Sequence, residues 1–140
     1  MVNFLVVTHG EFGAYLIEAA EAIVGVQPDG VRSIPISPRH TIDEIRQKLS
    51  SELEDLRRGG AGVVVAADMP GGTPTNVTMP LIKDMPDVEM VTGVNLYMLV
   101  GAFTRRGTMS ASELAKRMVE DGRKSVHDMK HLLESARSKA

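Results

Sequence analysis

Three short polar segments of this chain carry side chains that could take part in a reaction. They are Thr8 to Gly10, Asp68 to Thr73 and Gly93 to Asn95, and each follows an apolar run typical of a buried strand. A carboxylate that bonds one ring nitrogen of a histidine fixes the tautomer and leaves the other nitrogen free as a nucleophile or base. The sequence therefore predicts that Asp68 orients the imidazole of His9 and that His9 is a nucleophile or a base. The alternative is a turn histidine that caps a nearby backbone group.

The glycine pair Gly71-Gly72, followed by Thr73, predicts an anion-binding turn. Glycines let backbone N–H groups face a phosphate without interference from a Cβ atom. The Thr73 hydroxyl adds a donor, and the helix that follows offers its partly positive N-terminus. Two glycines among prolines are also typical of a simple tight connection. A histidine and an aspartate expected beside the turn favour the phosphate-binding interpretation.

Four apolar runs alternate with helical patterns and predict the elements that position these residues. The expected strands are 2–7, 31–36, 62–67 and 88–92, and the expected helices begin near residues 11, 41, 77, 96 and 110. Capping-box patterns at Thr41–Glu44 and Ser110–Glu113 mark two of the helix starts. The alternation predicts an α/β fold: a doubly wound, mainly parallel sheet of four strands with helices on both faces, in a single domain over residues 1–140.

Such a sheet predicts where the site lies. Ligands of open α/β sheets bind beyond the carboxyl ends of the strands, near the point where the strand order reverses. His9 and Asp68 leave the first and third strands at matching ends. We therefore expect the two side chains to be neighbours at that edge.

Two segments have alternative interpretations. Pro80 is unfavourable deep inside a helix, so the helix expected over Val77–Lys83 is either kinked or begins late. Gly122 interrupts the C-terminal helical pattern. The segment Lys124–Leu133 is compatible with a continued helix or with a fifth, antiparallel strand at the edge of the sheet.

Composition excludes several other classes of function. The chain has 140 residues, is 43% hydrophobic, carries a net charge of −2 and contains no cysteine. The nearly balanced charge predicts no surface for nucleic acid, and the lack of cysteine excludes disulfides and thiolate metal sites. We expect neither a membrane-spanning helix nor a signal peptide, and therefore a cytoplasmic protein.

Missing motifs narrow the chemistry further. The sequence contains no P-loop and no G-x-G-x-x-G after its first strand, which disfavours ATP hydrolysis and a dinucleotide site. His127 and His131 have a spacing that can bind metal on a helix, but they lack the glutamate of the zincin pattern. We expect both to be solvated and predict no metal site. With neither a metal set nor a second carboxylate pair, a hydrolase is disfavoured.

Three segments, in this order, resemble the mannose-type IIA component of the bacterial phosphoenolpyruvate:sugar phosphotransferase system (PTS). They are Val6–Phe12, Asp68–Asn76 and Thr92–Leu99, with the sequences VVTHGEF, DMPGGTPTN and TGVNLYML. The resemblance covers nearly the whole chain.

The resemblance implies a phosphohistidine carrier that needs no cofactor. His9 matches the histidine that takes a phosphoryl group from the phosphocarrier HPr and passes it to a IIB component, and Asp68 matches the carboxylate that orients the ring. Thr73 stands in place of a serine that helps to hold the phosphoryl group, and Phe12 is a candidate contact with HPr. The resemblance also implies a homodimer with an exchanged C-terminal strand and, for transport, IIC and IID permease partners in a membrane-associated complex.

Two departures from the family pattern leave the downstream role open. Met69-Pro70 stands where many sugar-transporting members carry a bulky aromatic residue, and Thr73 keeps the serine hydroxyl but adds a methyl group. We expect phosphoryl acceptance to be intact and the role to be either sugar uptake or regulation. The alternatives are a IIA-like phosphocarrier subunit that serves dihydroxyacetone kinase and a non-catalytic module that binds small anions.

Overall fold

The described part of the chain, residues 1–139 of a computed structural model, alternates four strands with helices. The strands are β1 (Asn3–His9), β2 (Val31–Ile36), β3 (Val63–Ala67) and β4 (Val88–Val91). The helices are α1 (Phe12–Val24), α2 (Ile42–Arg58), α3 (Thr73–Ile82), α4 (Leu96–Arg105), α5 (Ala111–Lys124) and α6 (Met129–Lys139).

The strands form one parallel sheet in the order β2-β1-β3-β4. Val7 of β1 is paired with Ile34 of β2 on one side and with Ala67 of β3 on the other. The chain therefore adds β2 on one side of β1 and then crosses back to add β3 and β4 on the other. The doubly wound α/β fold predicted from the sequence is confirmed, and its strand order reverses between β1 and β3.

Both faces of the sheet are covered by helices, which explains why the two central strands, β1 and β3, are almost completely buried. Alternate residues of a strand point to opposite faces, so Phe4 and Val6 contribute to one core while Leu5 and Val7 contribute to the other. Helices α1, α4 and α5 pack over the first core, and α2 and α3 pack over the second.

The start of α3 differs from the sequence prediction. The helix begins at Thr73 rather than Val77, because Pro74 is tolerated in a first turn and the Asn76 N–H donates to the Gly72 carbonyl at 3.0 Å. Pro80 lies inside this helix. The expected start at Val77 is therefore wrong, as is the late-start alternative, and the glycine turn leads directly into the helix N-terminus.

The C-terminal segment is helical on both sides of a short turn. Helix α5 continues through Gly122 to Lys124, and α6 begins at Met129. The Asp128 carboxylate accepts a hydrogen bond from the His131 backbone N–H at 3.1 Å, as an N-terminal cap does. Within residues 1–139 of this single chain the segment adds no fifth strand to the sheet, so strand exchange between two copies stays a prediction.

Across the same residues, no helix has the length and apolar character that crossing a membrane requires.

Candidate functional site

His9 and Asp68 meet at the point where the strand order reverses. His9 is the last residue of β1, and Asp68 directly follows β3. Because Val7 is paired with Ala67, the two side chains leave the same edge of the sheet in adjacent strands. His9 and Asp68 are therefore neighbours at this edge of the sheet, as the sequence analysis expects.

A single oxygen of Asp68 binds both the main chain and the side chain of His9. Its Oδ2 accepts a hydrogen bond from the His9 backbone N–H at 2.9 Å and lies 2.8 Å from the ring Nδ1. The side chain of His9 is 47% exposed, whereas that of Asp68 is only 12% exposed. The mostly buried carboxylate thus holds the Nδ1 edge of the imidazole, and the ring remains accessible to solvent.

The electrostatics of this pair determine the tautomer of His9. Burial raises the pKa of the Asp68 carboxyl, but the hydrogen bonds from the His9 backbone and ring outweigh it and hold that pKa below its ordinary value of 3.8. Asp68 is therefore ionised at neutral pH and can only accept hydrogen bonds. The proton of a neutral His9 ring consequently lies on Nδ1, and Nε2 keeps its lone pair as a nucleophile.

The glycine turn passes close to the free nitrogen of His9. A Cβ atom added to Gly72 would lie 3.3 Å from both Cε1 and Nε2 of the imidazole, and the backbone of Gly72 has a φ of +88° that disfavours other residues. Thr73 follows as the first residue of α3, and the helix dipole favours negative charge at this terminus. A Cβ atom added to Gly71, the residue before Gly72, would meet nothing within 4 Å, so the turn is open at that position.

Two threonines that the sequence analysis did not assign support this arrangement. The Thr8 hydroxyl donates to the Gly10 carbonyl at 3.0 Å and accepts from the Gly13 N–H at 3.1 Å, which ties the end of β1 to the start of α1. The Thr75 hydroxyl donates to the Met69 carbonyl at 2.9 Å across the glycine turn. Their signal in the sequence is weak, because a hydroxyl that bonds nearby backbone is common in turns.

A shallow hollow of about 240 Å³ lies beside His9. It is lined by residues of β1, of the start of α3, and of the connection from β2 into α2: His9, Thr73, Ile36, Ser37, Pro38, His40, Ile42 and Ile45. Ile42 in this lining is exposed, and so are Phe12 and Met69, which follow His9 and Asp68 closely in the sequence. The site is therefore an open surface around the imidazole of His9 and not a deep pocket.

The third polar segment supports the fold and contributes to a different hollow. Asn95 is the N-cap of α4: its Oδ1 accepts from the Met98 N–H at 3.0 Å, and its Nδ2 donates to the Ser125 hydroxyl at 3.3 Å. Gly93 and Asn95 line a hollow of about 580 Å³ together with Met79 and Val126. The structure thus brings together the Thr8–Gly10 and Asp68–Thr73 segments. Asn95, in the third segment, caps α4 instead.

The two C-terminal histidines do not share one helix. His127 lies in the turn before α6, and His131 lies within α6. Within residues 1–139, no three histidine or acidic side chains are grouped so that they could hold a metal ion.

Comparison with known proteins agrees with the fold and with the three motifs. A family model described as "PTS system fructose IIA component" (EIIA-man) matches residues 3–119. The "PTS system mannose-specific EIIAB component" of Escherichia coli K12 is 30% identical over 130 residues, which cover 92% of this chain and 40% of that protein. The chain thus spans less than half the length of this relative. The "PTS system sorbose-specific EIIA component" of Lacticaseibacillus casei is 24% identical over 85% of this chain and 84% of its own length.

Solved structures of similar proteins share the architecture. The PTS IIA protein associated with the fucose utilization operon of Streptococcus pneumoniae superposes with a TM-score of 0.86 at 27% identity, over 94% of this chain and 96% of that one. The EIIA component of Streptococcus agalactiae superposes with a TM-score of 0.83 at 25% identity, over 94% and 99% of the two chains. Because the family model also spans most of the sequence, the resemblance seen in the motifs is confirmed, and the chain belongs to the EIIA-man family of PTS IIA components.

Proposed function

We propose that this chain is a phosphohistidine carrier that accepts a phosphoryl group from phospho-HPr on Nε2 of His9 and passes it to a IIB partner, for sugar uptake or regulation. Membership of the PTS IIA family supports a phosphocarrier role. The observation that carries the proposal is the 2.8 Å contact between His9 Nδ1 and Asp68 Oδ2, with Gly72 on the other side of the ring. It places Nε2, the other ring nitrogen, beside the N-terminus of α3.

The transfer is an in-line displacement at phosphorus. The Nε2 lone pair of His9 forms a new N–P bond as the N–P bond of the donor histidine breaks, and the bonding electrons return to the donor ring. His9 keeps its proton on Nδ1, so its ring gains positive charge that the Asp68 carboxylate offsets. Onward transfer to IIB repeats this step with His9 as the leaving group.

The glycine turn is the proposed site for the phosphoryl oxygens. The first turn of a helix has backbone N–H groups without partners inside the helix, and these bind anions. We assign phosphoryl binding to the backbone of Gly71, Gly72 and Thr73 and to the Thr73 hydroxyl. The close approach of Gly72 to His9 Nε2 supports this assignment, because a group bonded to Nε2 would stand beside that backbone.

The exposed apolar side chains near His9 are the proposed docking surface for HPr. Phe12, which is 42% exposed, begins α1 three positions after His9, and Met69 directly follows Asp68. Ile42 lines the hollow that contains His9. A transient carrier complex needs a modest interface of this kind. Phe12→Ala should raise the KM for phospho-HPr, whereas Ile23→Ala, at the far end of the same helix, should leave it unchanged.

The C-terminal helix suggests how two copies of this single-domain chain would associate. Helix α6 exposes Met129, Leu132 and Leu133, and β4 is an edge strand of the sheet. A homodimer that exchanges its C-terminal segments would cover these apolar side chains. Light scattering should show a dimer for the wild type and for Val26→Glu, and a monomer for the double variant Leu132→Glu/Leu133→Glu. A dimer that survives the double variant would contradict this mode of association.

Phosphorylation by a reconstituted donor system tests the central proposal. The chain is incubated with phosphoenolpyruvate, enzyme I and HPr, and the product is mapped by mass spectrometry. We expect an acid-labile phosphoryl group on His9, its loss in His9→Ala and its retention in His127→Ala. Undiminished labelling of His9→Ala would remove the assignment.

The identity of the acceptor is tested by adding downstream proteins to the labelled chain. Transfer to a IIB component supports a sugar PTS, and IIC and IID permease components are then its further partners. Transfer only to a dihydroxyacetone kinase subunit would assign the chain to that system. Binding of inorganic phosphate without any labelling would instead indicate an anion-binding module.

A further inference from the structure

The hollow beside His9 contains a second imidazole that the proposed transfer does not use. His40 lies in the connection between β2 and α2 and lines the hollow together with His9, Thr73 and Ser37. Its side chain is exposed, and it also borders a neighbouring hollow of about 340 Å³ that Glu44 and Lys48 of α2 line. His40 is therefore available to a group that enters the hollow from His9.

A tight turn holds His40 in this position. The His40 backbone N–H donates to the Ser37 carbonyl at 3.1 Å, which closes a four-residue turn with Pro38 at its second position. The Arg39 N–H donates to the Ser37 hydroxyl oxygen at 3.2 Å. Thr41, the next residue, is the N-cap of α2. Ordering the backbone in this way lowers the entropic cost of a hydrogen bond made by the His40 ring.

The position of a phosphoryl group on His9 follows from the glycine turn. Nε2 of His9 lies against Gly72, and Thr73, the next residue, forms part of the lining of the hollow. A group bonded to Nε2 therefore stands between the N-terminus of α3 and the hollow. The backbone of the turn can reach the oxygens on one side, and the hollow opens on the other.

We propose that His40 binds the phosphoryl group carried by His9, by donating a ring N–H hydrogen bond to one of its oxygens. The inference rests on the proposed phosphocarrier function and adds a phosphoryl-binding residue to it. An imidazole carries at least one N–H in either neutral tautomer, and a hydrogen bond to an anionic oxygen is stronger than one between neutral groups. No bond forms between His40 and phosphorus, and His9 remains the nucleophile. The contact stabilises both the transferring group and the phosphohistidine.

Variants that keep or remove the donor test this role. His40→Gln keeps an N–H donor, His40→Leu removes it, and His131→Gln is the control for loss of a histidine elsewhere on the surface. We expect His40→Leu to slow acceptance from phospho-HPr about tenfold, to shorten the half-life of isolated phospho-His9 and to shift its ³¹P resonance. His40→Gln should recover most of the rate and lifetime, and His131→Gln should match the wild type.

The outcomes separate this inference from the function on which it rests. A wild type that is never phosphorylated on His9 overturns both. A wild type that is phosphorylated, with His40→Leu equal to His131→Gln in rate and lifetime, overturns only the role of His40. An equal loss in His40→Gln and His40→Leu also overturns it, because the donor would then not matter. His40→Ala repeats the comparison if circular dichroism shows that the leucine variant is misfolded.

Discussion

Oδ2 of Asp68 accepts a hydrogen bond from the His9 backbone N–H at 2.9 Å and lies 2.8 Å from the ring Nδ1 of the same residue. Because both groups belong to His9, the carboxylate controls the direction of the imidazole relative to its own strand. A ring that is oriented before the partner arrives loses less entropy in the transfer step.

Asp68→Asn should slow phosphoryl acceptance about 100-fold while the fold remains intact. The neutral amide cannot offset the charge that develops on the ring, and it no longer specifies which ring nitrogen carries the proton. Single-turnover labelling by phospho-HPr measures the rate, and thermal unfolding checks the fold. A rate equal to that of the wild type would show that Asp68 does not orient His9.

The stability contributed by Asp68 should depend on pH. Its pKa in the folded chain lies below the ordinary 3.8, so its contribution to the free energy of unfolding is complete above that value and is lost as pH falls through the folded pKa. Urea unfolding of the wild type and of Asp68→Asn between about pH 6 and pH 3 measures this. The difference between them should shrink toward low pH. A difference that grows there would contradict the direction of the shift.

Gly72→Ala should impair phosphoryl acceptance beyond the effect of backbone strain. The added Cβ would lie 3.3 Å from Nε2, where the incoming phosphorus must bind. Gly93→Ala is the matched control, since Gly93 also has a positive φ of 73° and its Cβ would meet nothing within 4 Å. Both variants should lose about 1 kcal/mol of stability or more, and only Gly72→Ala should lose labelling rate. Equal labelling rates would exclude Gly72 from the phosphoryl site.

Thr73→Val should lower the rate of acceptance about tenfold, and Thr73→Ser should keep it near that of the wild type. Valine has nearly the shape of threonine but lacks its hydroxyl donor, whereas serine keeps the donor. The labelling assay with phospho-HPr compares the three chains. If valine and serine behaved alike, the hydroxyl would have no part in holding the phosphoryl group.

Arg106→Met should destabilise the fold without changing the transfer rate. Arg106 is 3% exposed at the opposite end of β1 from His9, and it donates to Val2 O at 2.8 Å, to Gln27 Oε1 at 3.0 Å and to Asn3 Oδ1 at 3.1 Å. Losing these bonds leaves buried acceptors unpaired, which should lower the free energy of unfolding by about 3 kcal/mol. Urea unfolding measures the loss, with the exposed Arg46→Met as control. The labelling rate is compared at urea concentrations where Arg106→Met is still folded. A rate lower than that of the wild type under these conditions would contradict the separation of the two ends of β1.

The sequence pattern predicted most of the fold because its signals are local. Apolar runs predicted strands such as 31–36 and 88–92. N-cap residues predicted the starts of two helices, and the side chains of Thr41 and Ser110 bond the first turn as expected. The start of α3 at Thr73 was not predicted, because a glycine-proline turn is compatible with either a loop or a first helical turn. The Lys124–Leu133 segment also needed the structure, since Gly122 weakens a helical pattern without ending the helix.

By itself, the sequence determined which residues could react, because the chemistry of an imidazole, a carboxylate and a glycine turn is a property of residue type and local backbone. Tertiary structure decided which of them meet. Asp68 reaches His9, 59 positions away, only because β3 pairs with β1 in a register that ends both strands together, and the turn at Ser37 brings His40 to the same hollow. Strand order and loop conformation arise from the packing of the whole core, which no local segment encodes.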